Sequence, residues 1–171
     1  GDLEFVDKRT KCELPTFPNF TETLRPSQQE ALDFAMENGS IIIKARPGWG
    51  KTFTACAIAA KMKRKTLIVV HTIALLEQWV KEIKKVLGTT AGVVGDSTYV
   101  VGEYITVGLI KTLHKNRLAL SKQFGIIIVD EVHHLPADTF IEFIDSSYAA
   151  VKIGMSGTLE RTDKTHVIIY D

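Results

Sequence analysis

The sequence predicts an α/β domain in which a mostly parallel β-sheet is covered by helices on both faces. Three short runs, at residues 41–43, 67–70 and 126–129, consist entirely of branched apolar residues. Unbroken apolar strands, rather than alternating ones, are typical of parallel strands that are buried on both faces. Helix-like segments at residues 51–63 and 75–87 lie between these runs. This order of strand, helix and strand indicates crossover connections and therefore a parallel sheet.

The length and composition are those of a single globular domain. The chain has 171 residues, of which 45% are hydrophobic and 24% are charged, and this excludes a disordered or low-complexity protein. No uncharged apolar run approaches the roughly 20 residues that cross a bilayer, and the charged first residues are unlike a secretory signal. The two cysteines, Cys12 and Cys56, have no paired spacing. We therefore expect a cytoplasmic or other intracellular protein without disulfides and without a membrane partner.

The chain divides into a loosely patterned start and a strongly patterned remainder. Residues 1–23 mix prolines and aromatic residues with polar ones, which predicts an N-terminal arm or a linker remnant before a domain at residues 24–171. Pro26 suits a first helical turn, and the S-Q-Q-E sequence at residues 27–30 predicts a capping box. Asn38-Gly39 predicts the end of this helix.

The second half of the chain contains further strand candidates. Short apolar or β-branched runs predict strands at residues 104–107 and 151–155. The final residues, 166–171, form another strand-like run that has no cap or polar tail. Because domains rarely leave such a run unpaired, we expect its partner to lie in a second domain that follows residue 171.

A phosphate-binding loop is predicted directly after the first apolar run. Residues 45–52 read A-R-P-G-W-G-K-T and are followed by a helical segment. Small residues at Gly48 and Gly50 let backbone N–H groups surround phosphate oxygens at the positive end of that helix. Lys51 is expected to reach the β- and γ-phosphates of a nucleotide, and the Thr52 hydroxyl to bind Mg²⁺. The alternative, an ordinary glycine-containing turn, is disfavoured by the strand before the loop and the helix after it.

An acidic pair follows the third apolar run, in the sequence D-E-V-H. Ligands of open α/β sheets bind outside the carboxyl ends of the strands, where the phosphate loop also lies. Asp130 there is expected to hold Mg²⁺, and Glu131 to orient and deprotonate an attacking water. A solvated Asp-Glu pair would explain this tetrapeptide alone but not its position. A zinc site at His133-His134 is disfavoured because no other His or Cys stands nearby at ligand spacing.

Five segments in order resemble the first motor domain of superfamily 2 helicases. They are R-P-S-Q, A-R-P-G-W-G-K-T, H-T-I-A-L-L-E-Q-W, D-E-V-H and M-S-G-T-L-E-R, and they span about residues 24–163. The similarity is greatest to the DNA-directed group that includes repair, restriction and phage branch-migration translocases. The resemblance implies a RecA-like P-loop NTPase domain that uses ATP and Mg²⁺.

The resemblance also implies roles for individual residues. The positions that match nucleotide-binding residues of the family are Arg25, Gln28, Pro47, Gly48, Trp49, Gly50, Lys51, Thr52 and His133. Gln28 would read the adenine edge beside Arg25, and His133 would link the γ-phosphate site to the third motif. Ser156 and Thr158, in S-G-T, would couple hydrolysis to domain movement. The chain departs from the family pattern at Ser27, where an aromatic residue or His is usual, at Trp49, where a small residue is commoner, at Gly157, which replaces Ala, and at Leu159, which replaces Pro.

Contacts to nucleic acid are predicted in two loops. The net charge is only +1, so such contacts require a local patch. The family's backbone-contacting positions correspond to His71, Thr72, Thr106, Gly108 and Lys111. The basic residues at 61–65 and at Lys81, Lys84 and Lys85 are interpreted instead as solvated surface, and Trp79 as a core anchor rather than a base-stacking platform.

The sequence therefore predicts the ATP-hydrolysing motor domain of a DNA helicase or translocase that binds DNA without sequence preference. A phosphate-loop kinase of a small acceptor and an ATP-gated DNA clamp without turnover are the alternatives. A second RecA-like domain is expected to supply arginines to the γ-phosphate, so this chain alone should be nearly inactive.

Overall fold

The computed structural model describes residues 8–135, 137–157 and 166–170. The strands are β1 Ile41–Ala45, β2 Thr66–Val70, β3 Gly92–Gly95, β4 Thr98–Val100, β5 Ile105–Leu109, β6 Ile126–Val129, β7 Val151–Ser156 and β8 His166–Tyr170. The helices are α1 Pro26–Asn38, α2 Lys51–Met62, α3 Ile73–Leu87, α4 Ile110–Lys115, α5 Arg117–Leu120 and α6 Ala137–Ser146, with a 3₁₀ turn at Val132–His134. None of these helices is both long and apolar enough to cross a membrane.

The strands form one sheet in the order β4-β3-β5-β2-β6-β7-β1-β8. Every described pairing is parallel except that of β3 with β4. The predicted mostly parallel sheet is confirmed. Both the phosphate-loop strand β1 and the strand β6 that precedes the acidic pair lie inside this sheet, separated by β7.

Side chains from the central strands alternate between two apolar clusters. In β2, Ile68 and Val70 belong to the cluster shared with α1, α2 and α3, whereas Leu67 and Val69 belong to the cluster on the other face. All five residues of β2 are buried. The unbroken apolar runs thus arise because both faces of the sheet are covered by helices, as predicted.

Helix α1 begins where Pro26 predicted, but its cap differs from the predicted one. The N-cap is Arg25 rather than Ser27, and the Gln28 side-chain Oε1 accepts a hydrogen bond from the Arg25 backbone N–H at 2.9 Å. The predicted capping box at residues 27–30 was therefore misplaced by two positions. The helix ends at Asn38, as predicted, and Gly39 follows with φ +73°.

Helix α3 begins two residues earlier than the predicted start at residue 75. The Thr72 side chain caps it by accepting a hydrogen bond from the Leu75 N–H at 3.1 Å. Such a cap satisfies one of the N–H groups that a helix start leaves without a partner. The same residue therefore ends the loop after β2 and fixes the start of α3.

The expectation that the final apolar run would lack a partner in this chain is wrong. Strand β8 pairs in parallel with β1, with Ile41 opposite His166 and Ala45 opposite Tyr170. The Arg46 N–H also donates to the Tyr170 carbonyl at 3.3 Å. The phosphate-loop strand thus has a neighbour on each side.

The described part of the N-terminal arm crosses the sheet at the ends where several strands begin. Its backbone carbonyls at Thr10 and Cys12 accept hydrogen bonds from the N–H groups of Ala150 at 2.8 Å and Lys65 at 2.9 Å. A Cβ atom added at Gly125 would lie 1.7 Å from the Lys11 carbonyl oxygen. The arm is thus packed against the starts of β2, β6 and β7.

Candidate nucleotide site

The phosphate loop connects the end of β1 to the start of α2. Gly48 and Gly50 have φ values of +88° and +92°, in the left-handed region that favours glycine. At Gly50 there is a second restriction, because an added Cβ atom would lie 2.6 Å from the Gln28 Nε2 atom. Both positions therefore favour glycine because of their backbone conformation. At Gly50 a side chain would also collide with Gln28.

The loop and the acidic pair line one open pocket of about 430 Å³. Pro47, Gly48, Gly50, Lys51, Thr52, Asp130 and Glu131 contribute to it. Helix α3 adds Leu75, Gln78 and Glu82, none of which was predicted as a site residue. Their contribution depends on how α3 crosses the sheet, and no local pattern indicates it.

Lys51 and Glu131 form an ion pair across this pocket. The Lys51 Nζ atom donates to Glu131 Oε1 at 2.8 Å, and the Gly157 N–H donates to Glu131 Oε2 at 3.4 Å. Burial alone would raise the pKa of Glu131, but the hydrogen bond and charge of Lys51 outweigh it and hold this pKa below its ordinary value, with help from Gly157 and His133. Glu131 is therefore ionised at neutral pH, as a general base must be.

The backbone at Glu131 explains how two consecutive acidic residues reach the same pocket. Glu131 has φ +49° and ψ +53°, which interrupts the alternation of a strand. Asp130, just before it, is still attached to the sheet through its backbone N–H, which donates to the Val69 carbonyl at 3.0 Å. A left-handed residue other than glycine is uncommon and is found disproportionately at functional sites.

Asp130 is buried and is held by a tryptophan. The Trp79 indole Nε1–H donates to Asp130 Oδ2 at 2.8 Å. Burial raises the pKa of Asp130 above its ordinary value, and the Trp79 hydrogen bond and the Lys51 charge oppose this only in part. Trp79 is a core residue, as predicted, but its bond to Asp130 was not predicted.

We expect Asp130→Asn to stabilise the fold. Because the pKa of Asp130 is higher in the folded than in the unfolded chain, its protonation favours folding, and this contribution is lost as the pH rises through the folded-state pKa. The ionised carboxylate therefore costs stability at pH 7. In magnesium-free buffer, the melting temperature of Asp130→Asn should rise by about 2 °C or more, measured by circular dichroism. The exposed control Asp33→Asn should change it little, and a fall for Asp130→Asn would contradict the expectation.

His133 lies between the acidic pair and the S-G-T segment. Its Nδ1 atom is 3.0 Å from Ser156 Oγ and 3.5 Å from Glu131 Oε2. The structure thus brings together His133 and Ser156, whereas Thr158 lies outside the described residues. Side-chain atoms of Glu131, His133 and His134 that could bind a metal lie within 4.8 Å of one another. Glu131, however, is already bonded to Lys51, and His133 to Ser156.

The two departures from the family pattern at Ser27 and Trp49 are partners. The Trp49 indole Nε1–H donates to Ser27 Oγ at 3.0 Å, so the large side chain in the loop meets a small one at the start of α1. The Trp49 ring also stacks on Tyr170, with ring centroids 4.8 Å apart and planes 12° apart. The aromatic surface at this end of the loop therefore comes from the loop and from β8.

Arg25 and Gln28 both hold the phosphate loop. The Gln28 Nε2 atom donates to the Trp49 carbonyl oxygen at 2.9 Å, and an Arg25 guanidinium nitrogen donates to the same oxygen. A cavity of about 260 Å³ beside them is lined by Arg25, Ser27, Arg46, Pro47, Gly48 and Trp49. Arg25 lines this cavity, whereas Gln28 is buried with both its amide atoms bonded within the protein, so its contact with adenine stays a prediction.

The residues of the phosphate pocket fit a magnesium-bound nucleotide. A Cβ atom added at Gly157 would lie 3.6 Å from both Lys51 Nζ and Glu131 Oε1, so the missing side chain keeps the space beside this pair open. Thr52 and Asp130, which line the same pocket, supply hydroxyl and carboxylate oxygens. Such oxygens are the ligands that Mg²⁺ prefers.

Three of the predicted nucleic-acid residues lie near one edge of the sheet. Thr72 and Lys111 are exposed at the starts of α3 and α4, just after the ends of the neighbouring strands β2 and β5. Gly108 is buried near the end of β5, where an added Cβ atom would lie 2.6 Å from Leu113. His71 is partly buried and its ring centroid is 4.9 Å from that of His134.

The predicted phosphate contact by the Thr106 side chain needs correction. Thr106 is 0% exposed, and its Oγ1 atom accepts a hydrogen bond from the Gly102 N–H at 2.9 Å. It is the second residue of β5 and lies away from the edge that carries the phosphate loop. Its hydroxyl stabilises the turn before β5 and is not available to a nucleic acid in this conformation.

The fold and site define a phosphate-loop nucleotide-binding domain of the RecA-like type, the first motor domain of superfamily 2 helicases. The phosphate loop follows β1, a parallel strand with a neighbour on each side, and the acidic pair follows β6, two positions away in the sheet. The chain belongs to the family described as "Type III restriction enzyme, res subunit", whose sequence model matches residues 21–161.

Curated relatives include helicases and a translocase. The chain is 40% identical to "Probable helicase D10" of Escherichia phage T5, over 98% of this chain and 37% of the relative. It is 34% identical to "DNA 3'-5' translocase XPB2" of Sulfurisphaera tokodaii, over 84% of this chain and 32% of the relative. The chain thus spans about a third of the length of these relatives.

Solved structures of a helicase and of an ATPase core share the fold. The UvsW helicase from bacteriophage T4 superposes with a TM-score of 0.73 at 18% identity, over 95% of this chain and 70% of that chain. The Sulfolobus solfataricus SWI2/SNF2 ATPase core, solved in complex with double-stranded DNA, superposes with a TM-score of 0.70 at 19% identity, over 86% of this chain and 34% of that chain.

Proposed function

We propose that this chain is the motor domain with which a DNA helicase or translocase binds and hydrolyses ATP in the presence of Mg²⁺. The observation that carries the proposal is the pocket at which Lys51, Glu131 and Asp130 meet the phosphate loop, with Lys51 Nζ and Glu131 Oε1 2.8 Å apart. A cation, a base and a metal-binding carboxylate are the groups that phosphoryl transfer to water requires.

Each residue has a distinct part in this proposal. Lys51 exchanges its contact with Glu131 for the phosphate oxygens when a nucleotide binds, which frees the Glu131 carboxylate to accept a proton from water. Thr52 and Asp130 hold Mg²⁺, which neutralises charge on the phosphates. The phosphate loop supplies N–H groups at the positive end of α2.

The contact between His133 and Ser156 supports coupling of the nucleotide to movement. His133 is near Glu131 on one side and near Ser156 at the end of β7 on the other, at 3.5 Å and 3.0 Å. A shift of the Glu131 side chain on nucleotide binding therefore alters its contact with His133, and His133 passes this shift to Ser156 of the S-G-T segment. We propose that this segment transmits the change to a second RecA-like domain of the parent protein.

DNA is the proposed polynucleotide. One relative is named a DNA translocase, and one structural neighbour was solved with double-stranded DNA. In this chain, exposed Thr72 and Lys111 follow adjacent strands and offer a hydroxyl and a cation. Such groups contact phosphates and do not read sequence.

The experiment that tests the proposal measures ATP hydrolysis with and without DNA. Hydrolysis by the parent protein should be stimulated by DNA, whereas a small-acceptor kinase would transfer phosphate to its acceptor and ignore DNA. An ATP-gated clamp would bind DNA without turnover. This chain alone should hydrolyse ATP slowly, because the arginines of a second domain contribute on the order of 10³- to 10⁵-fold in such enzymes.

Lys111→Ala in the parent protein should weaken DNA binding and should also make the binding constant less dependent on salt concentration. Each phosphate contact by a cation releases a counterion, so losing one contact lowers the slope of log K against log salt by about 1. The affinity for ATP should not change. Lys81→Ala is the matched control, since Lys81 is exposed on α3 and is interpreted as solvated surface. Equal slopes for the wild type and Lys111→Ala would remove Lys111 from the interface.

A further inference from the structure

The contact between Trp79 and Asp130 joins two residues that lie far apart in sequence. Trp79 is on α3, 51 residues before Asp130, and its indole N–H donates to the carboxylate at 2.8 Å. Both side chains are withdrawn from water, since Trp79 is 1% exposed and Asp130 is 6% exposed. A hydrogen bond to an ionised group in such surroundings is stronger than one between neutral groups.

The tryptophan is the only side chain in the described part of the chain that donates a hydrogen bond to the Asp130 carboxylate. A terminal carboxylate torsion is broad, so without the indole only the Glu131 backbone N–H, which also hydrogen-bonds to this carboxylate, would limit its rotation. Burial also works against its charge, which the indole dipole helps to retain. The contact therefore affects both the orientation and the charge of Asp130.

We propose that Trp79 is a positioning residue for the Mg²⁺ carboxylate. Its indole N–H donates to Oδ2 and, together with the Glu131 backbone N–H, holds the carboxylate in the orientation from which it would serve the cation or its water shell. This inference rests on the proposed function, because it takes Asp130 as the carboxylate that serves Mg²⁺. Outer partners of this kind typically contribute 10- to 100-fold in metal affinity.

The indole is suited to this role in a way that another buried ring is not. Trp79 belongs to the apolar cluster on the α1–α3 face, so packing fixes its ring. Indole carries one N–H donor and no acceptor, and it therefore cannot compete with the carboxylate for the cation. Phenylalanine would keep most of the packing and lose the donor.

The test compares nucleotide affinity with and without Mg²⁺. Binding of the non-hydrolysable analogue AMPPNP is measured by calorimetry in excess Mg²⁺ and in EDTA, for the wild type and Trp79→Phe. In the wild type, Mg²⁺ should strengthen binding, and in Trp79→Phe this gain should fall by about 10-fold or more. The affinity in EDTA should change less than about twofold.

The other tryptophan provides a matched control. Trp49→Phe removes an indole of the phosphate loop itself, whose N–H donates to Ser27 and not to a carboxylate, so it should change both affinities by the same factor. An unchanged Mg²⁺ gain in Trp79→Phe would overturn the inference, and so would a parallel loss of both affinities. If the wild type did not bind AMPPNP with Mg²⁺ at all, the proposed function itself would fail.

A second variant keeps the test valid if Trp79→Phe does not fold. In a Trp49→Phe background, the remaining tryptophan is replaced by benzothienylalanine, whose sulfur stands in place of the indole N–H in a ring of nearly the same shape. This variant should fold and should show the same loss of Mg²⁺ gain relative to Trp49→Phe. Retention of the full gain would show that the N–H has no such role.

Discussion

Glu131→Gln is expected to lower the rate of ATP hydrolysis by about 10²- to 10⁴-fold while ATP remains bound. Glutamine has the shape of glutamate and keeps an oxygen that accepts from Lys51 or from the Gly157 N–H, so the pocket should retain its geometry. It cannot take a proton from water. Binding and the chemical step should therefore separate in this variant.

The measurement for Glu131→Gln is single-turnover hydrolysis in the parent protein, alongside equilibrium binding of ATP. Glu82→Gln is the matched control, because Glu82 lines the same pocket from α3 and has no assigned role as a base. Its hydrolysis should remain within a few-fold of the wild type. Near-full turnover by Glu131→Gln in the presence of Mg²⁺ would show that the base lies elsewhere.

Lys51→Ala is expected to abolish detectable hydrolysis by weakening nucleotide binding. A hydrogen bond to a charged group contributes about 1.5–3 kcal/mol, so ATP affinity should fall by roughly 10- to 100-fold. The variant also leaves Glu131 without its cationic partner at 2.8 Å, and the pKa of Glu131 should rise. Lys51→Ala therefore harms both binding and the base.

Titration with a fluorescent ATP analogue distinguishes this outcome from that of Glu131→Gln. Affinity should fall in Lys51→Ala and should be kept in Glu131→Gln. Lys61→Ala, an exposed lysine near the end of the same helix, serves as the control and should match the wild type. Wild-type affinity in Lys51→Ala would contradict the assigned phosphate contact.

The fold was predictable where the sequence carries strong local patterns. The unbroken apolar runs of β1, β2 and β6 indicated a sheet covered on both faces, and the structure has one. The hairpin of β3 and β4 was missed because its strands are only four and three residues long and all of β4 is exposed. The partner of β8 was missed because pairing with β1 depends on register across more than 100 residues.

The site shows the same division between local and distant information. The phosphate loop and the acidic pair are contiguous in sequence, so their chemistry could be read directly. The bonds from Trp79 to Asp130 and from Trp49 to Ser27 join residues 51 and 22 positions apart, and no local pattern indicates them. Thr106 was misassigned because its resemblance to a contact position does not reveal which end of β5 it occupies.

The N-terminal arm, which packs against the starts of β2, β6 and β7, limits how far the chain can be shortened for expression. A version trimmed to residue 21, where the match to the family begins, would remove the carbonyl partners of the Lys65 and Ala150 amides and uncover Gly125. It would also remove Phe17, a buried residue of the apolar cluster on the α1–α3 face, and burying a side chain of this size contributes about 1.5–3 kcal/mol against a total stability of about 5–15 kcal/mol. Such a version would keep every motif yet should be less stable and less soluble than the chain that carries the arm.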